Sequence, residues 1–161
     1  MENAQLARLV EEHGDTLLRM CFLYLRDVHL AQDAVQDAFV RAATTPAVFE
    51  SRSSEKTWLC RIAINVCKNY RRSAWFRKTQ PLDLPEELPA PEPRAADDTL
   101  VREIAALPEK YRAVVLLYYY QELKTREIAD ILGIAESTVS VRLRRARERL
   151  KSKLKGWYYD E

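Results

Sequence analysis

The sequence predicts an all-α protein: two small helical domains joined by a Pro-rich acidic linker, the second domain containing a helix-turn-helix. Three observations carry this prediction. Only three glycines occur among 161 residues, and long stretches rich in Ala, Leu, Arg, Lys, Glu and Gln favour helix, with no strand-like alternation of useful length. Five of the seven prolines, Pro81, Pro85, Pro89, Pro91 and Pro93, crowd together among Glu and Asp, a composition that stays extended and solvated. Charge is segregated behind a net of only +2. Residues 60–78 hold Arg61, Lys68, Arg71, Arg72, Arg77 and Lys78 without an acid, and residues 137–155 carry five Arg and three Lys against Glu148 alone. Between them, Asp83 to Asp98 holds six carboxylates and one Arg.

The first domain is expected over residues 5–76. Leu6, Leu9, Val10, His13, Leu17, Met20, Cys21 and Tyr24 recur at helical spacing and form one apolar stripe. Asp27 can cap a second helix, in which Ala31, Ala34, Val35, Ala38, Phe39 and Ala42 face inward and Asp33, Gln36, Asp37 and Val40 outward. Pro46 and the polar run Glu50 to Glu55 interrupt the pattern. A third helix starts near Ser53 or Ser54 and buries Trp58, Leu59, Ile62, Ala63, Val66 and Tyr70. The linker is taken as residues 77–97, with an extended reach on the order of 70 Å, about two turns of duplex DNA.

The second domain is expected over residues 98–155. Asp97 or Asp98 caps a helix through Leu100, Val101, Ile104 and Leu107, and Pro108 sits in the first turn of the next, which runs through Tyr111, Val114, Val115 and Tyr118. Thr125 caps a helix burying Ile128, Ala129 and Leu132. Gly133 suits the left-handed position that ends it. The last helix begins near Glu136 and passes Leu150. Helix, glycine turn and basic helix are the parts of a DNA-binding helix-turn-helix.

On that last helix an advance of about 100° per residue puts Val139, Leu143, Ala146 and Leu150 on one buried stripe. Ser137, Val141, Arg144 and Arg145 then face outward, with Ser140 on the flank. A β-branched Val141 among arginines suits a major groove, where apolar groups meet a thymine methyl and Arg pairs with guanine. Arg142, Arg147, Arg149, Lys151 and Lys153 are better placed for phosphates. A merely solvated face would alternate charge sign, and this one does not.

Asp33, Gln36 and Asp37 share a face at i, i+3 and i+4. A solvated face, a protein-docking surface and a metal or acid–base pair all fit that spacing, although no His or Cys accompanies it. Cys21, Cys60 and Cys67 make an odd count without a CxxC, which points to core thiols in a reducing cytosol rather than to disulfides or zinc. No metal site and no cofactor are expected. The opening residues lack a signal-peptide pattern, and no run of eighteen apolar residues occurs. A soluble, cytoplasmic protein without membrane insertion is the expectation.

The ordered set DAVQDAF (33–39), TWLCRIAINVCKNY (57–70), a proline-rich linker and LPEKYRAVVLLYYYQELKTREIADILGIAESTVSVRLRRARERL (107–150) resembles the bacterial RNA polymerase sigma factors of the extracytoplasmic-function (ECF) class. The resemblance implies a promoter-directing subunit of RNA polymerase that performs no bond chemistry. It implies that residues 5–76 are sigma region 2 and residues 98–155 sigma region 4. It further implies that Asp33, Gln36, Asp37 and Phe39 contact the β′ clamp of the core enzyme or support that contact. Ser51, Arg52, Ser53 and Ser54 would hold a flipped base of the minus-ten element, with Arg61, Asn65, Lys68, Arg71 and Arg72 taking backbone charge. The family pattern often has a glycine where Ser51 stands. Ser137, Thr138, Ser140, Val141, Arg142, Arg144, Arg145 and Arg147 would meet the minus-35 element. The implied partners are core RNA polymerase, through its β′ clamp and β flap, promoter DNA, and an anti-sigma factor that could hold the protein at the membrane.

Two rival readings make different predictions. A free-standing repressor or activator would use the helix-turn-helix as a dimer and bind a palindromic duplex without polymerase. An all-helical adaptor with incidental charge would show no salt-dependent DNA binding.

Overall fold

The structure, a computed structural model, describes residues 2–45, 54–72 and 95–153, with the side chains of 95–98 excepted. All regular elements among the described residues are helical, and they fall in two units, residues 1–89 and 90–161. In the first unit α1 is Asn3–Leu25, α2 Val28–Thr44 and α3 Glu55–Arg71. The turn from α1 to α2 is local chemistry. Arg26 takes the left-handed conformation (φ 61°) and its N–H closes on the Phe22 carbonyl at 2.6 Å. Without glycine that conformation costs roughly 1–2 kcal/mol. Asp27 then caps α2, its Oδ1 accepting from the Leu30 N–H at 3.0 Å. Ser54 caps α3 in the same way, accepting from the Thr57 N–H at 3.1 Å.

The three helices pack on one another in every pairing. Ala31, Ala34, Ala38 and Ala42 bring α2 close to its neighbours, while Met20 to Leu25 of α1 are buried all round. The face of α3 differs from the sequence expectation. Thr57, Leu59, Cys60, Ala63, Ile64, Val66 and Cys67 are buried, whereas Trp58, Ile62 and Tyr70 are only half-buried. Packing of α3 on α1 and α2 selects a stripe rotated toward Cys60, Ile64 and Cys67. Val10, 45% exposed, also leaves the expected stripe, and Val35 is half-buried. All three cysteines are free and buried. The Cys21 thiol is held protonated, well above its ordinary range, by its hydrogen bond with Cys67 and by burial.

The second unit contains α4 Ala95–Ala106, α5 Glu109–Val115 continuing into a π-helical turn Leu116–Tyr120, α6 Thr125–Leu132 and α7 Glu136–Lys153. Because α4 begins at Ala95, Asp97 and Asp98 lie in its first turn rather than at a cap, and the helix enters the stretch expected as linker. Pro108 occupies the cap of α5. Helix α7 is the hub, packing on α4, α5 and α6.

Arg112 is the least expected core residue. It is 1% exposed, and its Nη1 donates to the carbonyls of Ala105 (3.0 Å) and Leu107 (2.9 Å). Two carbonyls at the end of α4 are thereby satisfied by α5. The π-helical turn widens α5, with Gln121 N–H bonding the Leu116 carbonyl at 3.2 Å. The extra residue turns Leu116 and Leu117 inward and leaves Tyr119 half-exposed.

Candidate nucleic-acid interface

The helix-turn-helix of the second unit is built from α6, Gly133 and α7. Gly133 ends α6 in the left-handed conformation, φ 68° and ψ 36°, which glycine adopts at no steric cost. Thr125 does not cap α6 as expected. Lys124 holds the cap position, its N–H donating to the Glu127 carboxylate at 3.0 Å. The Thr125 hydroxyl instead donates to Glu136 Oε2 at 2.8 Å, bracing the start of α6 against the start of α7. Leu132 is half-buried rather than buried.

On α7, Val139, Leu143 and Ala146 are buried and Leu150 half-buried, so the register read from periodicity is the observed one. Ser137, Ser140, Arg144 and Arg145 are exposed, and Thr138, Val141 and Arg142 half-buried. The arginines are not equivalent. Arg147 donates from Nε to the Tyr119 hydroxyl at 2.6 Å and stacks its guanidinium 5.5 and 5.6 Å from the rings of Tyr118 and Tyr119. Arg149 lies 5.0 Å over the Tyr111 ring, and Arg145 hydrogen-bonds the Tyr111 hydroxyl. That bond and the cationic surroundings pull the Tyr111 pKa below the ordinary phenol value. Arg147 and Arg145 are thus tied to α5 and the turn after it. Arg144 stands on the exposed face beside Ser140 and Val141.

The first unit carries the other predicted residues. Asp33, Gln36 and Asp37 are exposed on α2, and Val40, one turn on, is 60% exposed. Phe39 is 7% exposed, a core residue beneath that face rather than part of it. Tyr70 of α3 donates to Asp37 Oδ2 at 2.5 Å. On α3, Asn65 and Arg72 are exposed and Arg61, Lys68 and Arg71 half-buried. Ser54 is committed to capping α3. Ser51, Arg52 and Ser53 lie outside the described residues.

Sequence reasoning missed two features here. Burial, and then the nearby charge of Arg71, lower the pKa of Arg26, so the α1–α2 turn adds a cation to the basic end of α3. No local pattern marks Arg26 for this, because folding alone brings the two like charges near enough to repel one another. The second feature is Arg8, whose Nη2 bonds Glu55 at 2.6 Å and whose Nη1 bonds Glu12 at 3.1 Å. These bonds raise the Arg8 pKa, and the Arg8 bond holds the Glu55 carboxyl below its usual value. His13 lies 3.8 Å from both acids, so Glu12, His13 and Glu55 converge within 4.8 Å. The Arg8 guanidinium already supplies their positive charge.

Two family models cover most of the chain, Sigma-70 region 2 over residues 9–77 and Sigma-70, region 4 over residues 97–150. The chain is 33% identical to the ECF RNA polymerase sigma factor SigW of Bacillus subtilis, spanning 92% of this chain and 88% of the relative. It is 36% identical to the ECF RNA polymerase sigma factor SigL of Mycobacterium tuberculosis, spanning 88% and 84%. The chain belongs to the ECF RNA polymerase sigma factors. Among solved structures this sigma factor is similar to CnrH in complex with the cytosolic domain of CnrY, with a TM-score of 0.71 and 25% identity over 96% of this chain and 90% of that one. The fold is also that of the sigma factor RpoE in complex with the anti-sigma factor NepR from Bartonella quintana, with a TM-score of 0.73 and 24% identity over 96% and 99%. It is therefore a promoter-specific subunit of transcription initiation, without a catalytic activity of its own. Among the described residues no helix is long and apolar enough to cross a membrane.

Proposed function

We propose that this sigma factor grips a promoter at two places and core polymerase through the helices between and beside them. Residues 5–76 act as region 2, residues 98–155 as region 4, and residues 77–97 as the tether. The α2 face of Asp33, Gln36 and Asp37 docks on the β′ clamp, supported from beneath by Phe39, and region 4 docks on the β flap. The observation that carries the promoter reading is the face of α7 where Ser137, Ser140 and Arg144 are exposed beside the half-buried Val141 on a braced helix-turn-helix. In a major groove Arg144 would take the bidentate guanine contact, which discriminates by about 1–3 kcal/mol. Thr138, Arg142, Arg145 and Arg147 line the same helix and add phosphate attraction, with Arg145 and Arg147 held by tyrosines at fixed positions on its flank.

Opening of the minus-ten region falls to α3 and the residues before it. Arg61, Asn65, Lys68, Arg71 and Arg72, joined by Arg26, draw the single-stranded backbone. Ser51, Arg52 and Ser53 receive the extruded base, whose release from the stack costs a few kcal/mol, and Ser54 supports them by capping α3. An anti-sigma factor, anchored at the membrane, holds the protein inactive. The two solved neighbours, each seen with a protein partner, support the binding of such a factor.

The test is to mix the full chain with core RNA polymerase and a promoter library and to sequence the run-off transcripts. New start sites preceded by shared minus-35 and minus-ten elements are expected. Tight binding to a palindromic duplex without polymerase, and no new start sites, would overturn the proposal.

A further inference from the structure

We infer that Tyr70 is a positioning residue of the polymerase-docking surface, its hydroxyl fixing the Asp37 carboxylate in the orientation that the core enzyme meets. The inference rests on the docking role proposed above for α2. Helical periodicity assigns Tyr70 to the core, but it is only half-buried, and its hydroxyl emerges beside the outward face of α2. Both Asp37 and Asp33 act on that hydroxyl, which burial and the Asp37 bond keep protonated well above the ordinary phenol range. A phenol is protonated at neutral pH even without that shift, so Tyr70 is a standing donor there. With Gln36 and the exposed Val40, it completes a face that is acidic at one end and apolar at the other.

The choice of donor matters. Lys68, Arg71 and Arg72 surround Tyr70 in sequence, and any of these side chains on Asp37 would neutralise it. A phenol satisfies one carboxylate oxygen and leaves the charge and the second oxygen for a cation or amide of the partner. An exposed aspartate otherwise samples several rotamers and loses that freedom on binding, so fixing it beforehand strengthens association.

The experiment measures the affinity of the full chain for core RNA polymerase with Tyr70→Phe, Asp37→Ala and the double variant. Tyr70→Phe keeps the ring and should weaken binding about two- to tenfold, the range expected for ordering one side chain. In the Asp37→Ala background it should change affinity by less than about 1.5-fold, because the group that it positions is gone. An equal loss in both backgrounds would mark Tyr70 as a merely structural residue and overturn the inference. No loss from Tyr70→Phe, with Asp37→Ala still weakening binding, would overturn it as well and leave the docking role standing. No loss from Asp37→Ala would overturn the docking role of Asp37 itself.

Discussion

Replacing Arg112 by methionine should loosen the whole second unit although the residue touches no surface. The guanidinium is 1% exposed and closes two carbonyls, Ala105 at 3.0 Å and Leu107 at 2.9 Å. Methionine keeps much of the volume and removes the burial cost of the charge, which works in its favour. Against that, two carbonyls lose their Nη1 donor at the junction of α4 and α5, at about 1–3 kcal/mol each. The net expectation is about 2–4 kcal/mol of destabilisation confined to residues 95–153. Hydrogen exchange by mass spectrometry on the full chain reads this segment by segment. Amides of α4, α5 and α7 that open with the unit should exchange about 30- to 1000-fold faster, and those of α1 to α3 should be unchanged. Minus-35-dependent transcription should fall at elevated temperature before transcription from a template pre-opened at the minus-ten region does. Unchanged protection of α4 and α5 would refute the reasoning, since it would mean that the two carbonyls need no protein donor.

Arg144→Ala should cost about 1–3 kcal/mol of discrimination at one position of the minus-35 element and leave core affinity intact. Run-off sequencing on a minus-35 library checks it, and a uniform loss across sequences would show a phosphate contact instead. Asp33→Ala and Gln36→Ala should weaken core binding without altering which promoters the surviving holoenzyme selects, as measured by competition against a labelled sigma factor. If either changed promoter choice and affinity together, the division between α2 and α7 would be wrong. Stability of the first unit should also depend on acid pH through Glu55. Its pKa is depressed in the fold by Arg8, so the stabilisation is present above the unfolded carboxylate value and is lost as pH falls through the lower folded one. Both partners are solvent-accessible, so the effect is small. Arg8→Ala should flatten the thermal midpoint against pH below about pH 4.5, near the unperturbed glutamate value. An unchanged slope would exclude the pair as its source.

Much of the fold could be read without coordinates because its signals are local. Asp27 and Ser54 are short polar side chains placed where a helical stripe begins, and each caps its helix as expected. Gly133 lies between two periodic segments and takes the positive φ that only a break there requires. The register of α7 followed from Val139, Leu143 and Ala146 alone, since one apolar stripe on an otherwise charged helix leaves a single face to bury. The missed features arise where two faces compete. Helix α3 carries apolar or small residues nearly all round, and α1 and α2 chose Cys60, Ile64 and Cys67 over Trp58, Ile62 and Tyr70.

What the sequence determined by itself was the helical class, the position of the breaks, the segregation of charge and the basic face of α7. Composition and near-neighbour spacing control each of these, and they act within a turn or two of chain. Tertiary structure alone decided which cations stay available. Arg112 is consumed inside the core, Arg147 and Arg145 are held by tyrosines of α5 and the turn after it, and Arg26 is brought near enough to Arg71 to feel its like charge. The same packing set Tyr70 against Asp37. An arginine or tyrosine reads alike in any exposed helix. Its partner is chosen by residues far away in sequence, which only folding brings within hydrogen-bond distance.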